Sequence, residues 1–211
     1  KKIAMIIKDP LDTAKNKPPK PYVINRYKFK QDVSGYLYDT RSTHLYLFDI
    51  ATKKLDTLTR GLYNEQDIEW SPDGSKIAFV SNQSEDPDKN SNTDIWIINA
   101  QAGAQQKKFT TWLGRDNSPQ WSPDGKQLAY LRSTSDQAYI MYDQPVLCVA
   151  DAGGGEVKEI SKALDRPVSD PKWSADGKSI AVLVADDLKR YVASYNVATQ
   201  KMDVISGGDR S

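Results

Sequence analysis

The sequence contains very few of the residues on which enzymes and metal sites most often depend. Cys148 is its only cysteine, which excludes an intramolecular disulfide and a metal cluster built from several cysteines. His44 is its only histidine, and no Gly-x-Ser-x-Gly nucleophile elbow occurs, so no serine hydrolase centre can be recognised. We therefore expect no catalytic residue here. We interpret Cys148 as a buried apolar residue and His44 as structural or substrate-facing.

A large excess of charge of either sign is also missing. Lys and Arg total 29 and Asp and Glu total 28, for a formal net charge of +1, which gives no electrostatic footprint for nucleic acid. No apolar run is long enough to span a membrane. We expect neither nucleic acid nor membrane as a partner. The compartment stays open between bacterial cytoplasm and periplasm, because proteins of both can lack disulfides.

Two segments resemble ligand-binding loops only in part. Acidic and amide side chains alternate as at the start of a calcium loop, at Asp86, Asp88, Asn90, Asn92 and Asp94. Ser91 and Ile97 stand where that loop needs glycine and a bidentate glutamate. The glycines at 153–155 lack the Lys-Ser/Thr pair of a phosphate loop. We predict no metal and no cofactor.

An internal repeat is the main feature that is present. Trp-Ser-Pro-Asp-Gly at residues 70–74 recurs at 121–125, and as Trp-Ser-Ala-Asp-Gly at 173–177. Each copy is followed by an apolar segment of strand type, at residues 76–80, 127–131 and 179–183, and residues 2–6 repeat this segment. Pro, Asp and Gly in this order favour a tight turn, so we interpret the repeated aspartates as structural.

The rest of each unit repeats as well. Third strands are predicted at residues 45–49, 95–99, 146–150 and 191–195, and fourth strands at 54–58, 107–110, 157–160 and 202–205. Four short strands at a period near 50 residues are typical of propeller blades. We predict an all-β chain, a β-propeller segment of four-stranded antiparallel blades near residues 1–60, 66–112, 117–163 and 169–207. Three blades are complete, and the first lacks its innermost strand.

The chain resembles the propeller domain of the prolyl oligopeptidase family of serine peptidases, in its acylaminoacyl-peptidase and dipeptidyl-peptidase branch. Beyond the repeat, the similarity lies in residues 21–26 leading through 35–37 to 41–45, in residues 81–90 and in residues 164–173. The resemblance implies a propeller that caps an α/β-hydrolase domain, limits access to short peptides and helps to bind the amino-terminal end of the substrate. It places the catalytic Ser, Asp and His in that domain, which is absent here, so only the parent protein would be an enzyme.

The resemblance also indicates which side of the blades would meet substrate. Short turns join strands one to two and three to four, whereas long loops on the opposite side join strands two to three and successive blades. Carboxylates suit a peptide's amino terminus and arginines suit its carbonyl groups. The substrate-facing candidates on the long-loop side are Arg41, Glu85, Asp86, Asp88, Arg115 and Arg166.

Two further expectations concern partners. The alternative to a peptidase domain is a non-enzymatic, TolB-like propeller that binds protein partners, because the repeat alone is shared with such propellers. An arc cut from a ring would also expose two apolar blade faces, so we expect self-association through these faces.

Overall fold

A computed structural model describes residues 1–10, 24, 26–33, 35–36, 41–135 and 143–207. Part of the long connections at 8–43 and 132–143, and with it residues 21–23, 25 and 37 of the similar stretches, lies outside the described residues. In the described part of the chain, no helix is long and apolar enough to cross a membrane. One short 3-10 turn, Lys162–Leu164, is present.

The described residues form seventeen β-strands. They are β1 Lys2–Lys8, β2 Lys30–Gln31, β3 Gly35–Tyr36, β4 Thr43–Asp49, β5 Leu55–Thr57, β6 Glu65–Trp70, β7 Lys76–Ser81, β8 Asp94–Asn99, β9 Lys107–Lys108, β10 Asp116–Trp121, β11 Gln127–Arg132, β12 Val146–Asp151, β13 Lys158–Glu159, β14 Val168–Trp173, β15 Ser179–Asp186, β16 Lys189–Asn196 and β17 Met202–Ser206.

Four antiparallel sheets follow one another along the chain, as the repeat predicts. The first blade has the strand order β1-β4-β5, and the next three have the orders β6-β7-β8-β9, β10-β11-β12-β13 and β14-β15-β16-β17. A separate small hairpin, β2-β3, lies in the connection between β1 and β4. The predicted architecture of three four-stranded blades and one three-stranded blade is confirmed.

The apolar cores lie between neighbouring blades. Ile77 and Phe79 of the second blade pack with Leu45 and Leu47 of the first, and Trp121 and Leu128 pack with residues of the second blade in the next cluster. A third cluster joins the last two blades. Each blade thus buries its faces only by stacking on its neighbours, which is the packing of a propeller.

The first strands of the three complete blades are the innermost ones. β10 lies against both β6 and β14, and the Lys172 Nζ of β14 donates to the Gln120 Oε1 of β10 at 2.8 Å. Each of these strands contains a register shift with one left-handed residue, at Asp67, Ser118 and Asp170. The shared bulge shows that the repeat extends to backbone conformation as well as sequence.

Two predicted boundaries differ from the structure. The fourth strands of the second and third blades pair over two residues only, Lys107–Lys108 and Lys158–Glu159, because the hydroxyls of Thr110 and Ser161 accept the Ile95 and Leu147 N–H groups at 2.9 and 2.8 Å. The side chain replaces the backbone partner there.

In the fourth blade, β15 and β16 join through a tight turn rather than a long loop.

Candidate functional site

The Ser-Pro-Asp-Gly turns lie on one side of the blades and have a structural role. In the first copy, the Ser71 hydroxyl accepts the Lys76 N–H at 2.9 Å and donates to Asp73 Oδ1 at 2.6 Å. Gly74 adopts the positive φ that the turn requires. The hydrogen bond from Ser71, followed by those from Ser75, lowers the pKa of Asp73 to about 2. These contacts use the aspartate locally, as the sequence predicts.

The single histidine lies inside the junction between the first two blades. His44 on β4 is buried, and its Nδ1 lies 2.9 Å from Oε2 of the equally buried Glu65 on β6. Its Nε2 lies 3.5 Å from Asp9 Oδ2. Burial raises the pKa of Glu65, and the contact with His44 opposes that rise. His44 therefore holds two blades together rather than lying on an open substrate face.

The next junction carries a different set of buried charges at the same register positions. Asp94 on β8 corresponds to His44, and Asp116 on β10 corresponds to Glu65. Arg132 contacts Asp116 through two hydrogen bonds of 3.0 and 3.2 Å, and Lys108 contacts Asp94 at 2.7 Å. Burial raises the pKa of both carboxyls, and the paired cations oppose it. These groups neutralise one another within the scaffold.

The loop at residues 82–93 contains three of the candidate residues. Asp88 accepts hydrogen bonds from Arg26 at 3.2 Å and from the Lys28 N–H at 2.8 Å. Burial raises its pKa, but these two contacts outweigh burial and lower it overall. Asp86 pairs with Lys89 at 2.9 Å. Glu85 is exposed and forms no ion pair with any described residue.

The three arginine candidates each contact a different neighbour. Arg115 Nη2 lies 2.6 Å from Oδ2 of the buried Asp143, Arg166 Nε donates to Asp186 Oδ1 at 2.6 Å, and Arg41 Nη1 donates to a backbone carbonyl at 3.0 Å. These partners lie in separate blades, so the structure does not bring the three arginines into one cluster.

A cavity on the long-loop side brings some of the candidate loops together. Its volume is about 280 Å³. Arg115 and Lys28 line it, with Leu62 and Tyr63 from the loop between the first two blades and Ser91 from the loop within the second. Asp88 borders it through its hydrogen bond to Lys28. Of the candidates, Arg115 and Asp88 are therefore placed nearest a shared concave surface.

The loop at residues 82–93 is held in shape by amide side chains. Asn82 Nδ2 donates to Asn90 Oδ1 at 2.8 Å, and Asn90 Nδ2 donates to the Asp86 carbonyl at 2.8 Å. The carboxylates that alternate in this loop point to separate cations. In the described part of the chain, no group of three or more His, Cys, Asp or Glu side chains is placed to hold a metal ion.

Sequence reasoning missed Glu65 and Asp143, the partners of His44 and Arg115. A signal for Glu65 did exist, because it stands five residues before Trp70 just as Asp116 stands five before Trp121. No such signal marks Asp143, whose position depends on how the connection before β12 returns to the loop that carries Arg115.

The sequence relatives of the chain include peptidases. The chain is 29% identical over 145 residues to dipeptidyl-peptidase 5 of Porphyromonas gingivalis, covering 68% of this chain and 21% of that protein. It is 31% identical over 119 residues to the uncharacterized peptidase YuxL of Bacillus subtilis, covering 56% of this chain and 17% of that protein. The chain thus spans about a fifth of the length of these relatives.

A solved structure and a family model agree with the observed fold. The crystal structure of TolB from Acinetobacter baumannii superposes with a TM-score of 0.58 at 15% identity, covering 83% of this chain and 40% of that chain. The model of the TolB beta propeller domain (PD40) matches residues 38–211. With its repeated four-stranded blades and this match over most of its length, the chain belongs to the TolB beta propeller domain family and is related to the propellers of peptidases.

Proposed function

We propose that the chain is the non-catalytic propeller domain of a serine peptidase, where it limits access to the active site and helps to bind the amino-terminal end of short peptides. The similarity to dipeptidyl-peptidase 5 over 68% of the chain carries the proposal. The long-loop cavity supports it, because a concave surface lined by two cations and several amides suits a peptide backbone.

Two candidate residues on the long-loop side suit contacts with a peptide, Glu85 in the loop at residues 82–93 and Arg115 in the cavity wall. Glu85 is exposed and without an ion pair among the described residues, so it is available to a protonated amino terminus. Asp88 lies beside the cavity but already contacts Arg26 and Lys28. Arg115 contacts Asp143 through Nη2, and its remaining N–H groups can donate to a carbonyl oxygen of a peptide. Glu85 and Arg115 are thus the favoured pair of the six candidates.

Exposed leucines on the same side suit a docked domain. Leu62 is 89% exposed and Leu113 is 63% exposed. Both stand three residues after the hydroxyls that close a blade, Thr59 and Thr110. Apolar side chains repeated at loop tips indicate a contact surface. We assign it to the α/β-hydrolase domain of the same parent chain.

Filling the cavity in the parent protein tests this proposal. We expect Ser91→Trp to raise the Michaelis constant for a short chromogenic peptide by about tenfold, because the indole would occupy space that the substrate needs. Lys126→Trp adds the same side chain on the Ser-Pro-Asp-Gly side and should leave the constant unchanged. Equal constants for both variants and the native parent would contradict the proposal.

A TolB-like propeller that binds protein partners is the second candidate function. The match to the TolB beta propeller domain and the superposition on TolB favour it. The parent gene separates the two functions, because a peptidase requires a Gly-x-Ser-x-Gly domain after the propeller.

A further inference from the structure

A second groove lies near the outer edge of the propeller, between the second and third blades. Its volume is about 440 Å³, and its walls come from β8 and β9 on one side and from the turn at Gly153 and Gly154 on the other. Lys76, which follows the first Ser-Pro-Asp-Gly turn, also lines it. The groove is therefore on the short-turn side, away from the surface proposed to face substrate.

The groove combines an apolar floor with cations. Ile97, Phe109 and Ala152 line it and pack against the core between the two blades. Lys76 and Lys107 are exposed, and neither forms an ion pair with any described residue. No carboxylate lines the groove in the part of the chain that the structure describes. Lysines without an ion pair among the described residues, above an apolar floor, suit an acidic ligand with an apolar side chain.

The third lysine in the groove has a different role. Lys108 Nζ contacts the buried Asp94 at 2.7 Å and lies 5.8 Å from the centre of the Trp96 ring. It is committed to the scaffold, which leaves Lys76 and Lys107 as the cations available to a ligand.

Comparison with the neighbouring blades shows that lysines without an ion pair are not a general feature of the blade. The same cross-strand position pairs Lys2 with Asp49 in the first blade and Lys76 with Asn99 in the second. The third blade pairs Gln127 with Asp151 there. The second blade alone among these three has a lysine with no carboxylate opposite it.

The outermost strands of the three blades also differ in charge. The two positions held by Lys107 and Lys108 in the second blade are held by Asp56 and Thr57 in the first. In the third blade they are held by Lys158 and Glu159, and Glu159 pairs with Lys162. The combination of Lys76, Lys107 and Lys108 therefore occurs in only one of these three blades.

We propose that the groove formed by Lys76, Ile97, Lys107 and Phe109 binds an extended acidic segment of a separate protein. One apolar side chain of the segment lies on Ile97 and Phe109, and carboxylates on either side of it contact Lys76 and Lys107. β9 is the last strand of its blade, so one of its backbone edges has no strand partner among the described residues and can pair with the segment. This site does not depend on the proposed peptidase role.

Binding of a defined peptide tests the proposal. The probe is a fluorescent peptide with one leucine flanked on each side by two aspartates, titrated with the chain and followed by fluorescence anisotropy. We expect saturable binding that weakens as NaCl rises from about 50 to about 300 mM. The double variant Lys76→Gln with Lys107→Gln should bind about tenfold more weakly. Lys158→Gln, the matched change in the next blade, should bind as the native chain does.

Thermal unfolding of each variant checks that these exposed substitutions leave the fold intact. The proposal is overturned if a peptide with asparagines in place of the aspartates binds equally well, or if Lys158→Gln weakens binding as much as the double variant. Association with phosphatidylserine vesicles without peptide binding, or a dimer that the two glutamine substitutions dissociate, would assign the groove to another occupant and also overturn it.

Discussion

His44 Nδ1 lies 2.9 Å from Glu65 Oε2 across the junction between the first two blades. Both side chains are buried, and Glu65 Oε1 has no hydrogen-bond partner among the described residues. We expect Glu65→Ala to lower the free energy of unfolding by about 3 kcal/mol, because it leaves Nδ1 of the buried His44 ring without its partner in the blade junction. Urea denaturation measures the change, and Glu85→Ala, at an exposed position, serves as the control that should show almost none.

The junction between the third and fourth blades suggests a double substitution that restores the stability lost in Glu65→Ala. The positions of His44 and Glu65 are occupied there by Val146 and Val168. The double variant His44→Val with Glu65→Val should therefore be more stable than Glu65→Ala, since a buried polar pair can be replaced by apolar groups at little cost. A double variant as unstable as Glu65→Ala would contradict this account of the junction.

The Ser-Pro-Asp-Gly turns predict an unusual aspartate titration. The pKa of Asp73 is about 2 in the folded chain, below the ordinary value of 3.8. Its ionised form therefore contributes stability above pH 3.8, and this contribution is lost as the pH falls towards about 2. By carboxyl NMR at about pH 3, where an ordinary aspartate is mostly protonated, Asp73 should remain mostly ionised.

Ser71→Ala is the matched variant for that titration. The hydrogen bond from Ser71 is the largest cause of the lowered pKa, so its removal should move the Asp73 midpoint towards 3.8. A midpoint that is already ordinary in the native chain, or that Ser71→Ala does not move, would show that the turn is not held in this way.

Exposed apolar residues at the edges of the first and last blades predict self-association of the isolated chain. β1 has β4 as its one strand neighbour among the described residues, and Ile3 is 45% exposed. Val204 and Ile205 of β17 are also exposed. We expect light scattering to show a mass that increases with concentration, and Ile205→Lys to reduce that increase, because apolar edges attract one another. A constant monomer mass at all concentrations would count against this expectation.

The fold was predictable because its signals are local. Each turn repeats the same chemistry within five residues, and each strand that follows has a β-branched or aromatic pattern. The ends of the fourth strands were not predictable from pattern alone, since the hydroxyls of Thr110 and Ser161 replace the backbone partner there. That exchange depends on a contact fourteen or fifteen residues away along the chain.

The candidate site was less predictable, because its contacts join residues far apart in sequence. Arg115 contacts Asp143 from 28 residues away, and Asp88 contacts Arg26 from 62 residues away. Strand order alone predicts that both Arg115 and Asp88 lie on the long-loop side, since loops between antiparallel strands alternate between the two sides. Strand order does not indicate which loops meet at one cavity or which charges are already neutralised.

The Michaelis constant of the parent peptidase for a short peptide tests the central claim most directly. Arg115 lines the long-loop cavity, and Lys126 lies on the opposite, short-turn side. We predict that Arg115→Ala raises this constant by about tenfold with a smaller change in kcat, as expected for a lost charged contact to bound substrate. Lys126→Ala should leave both values unchanged. An unchanged constant in Arg115→Ala together with a raised constant in Lys126→Ala would contradict the claim that the long-loop side faces the substrate.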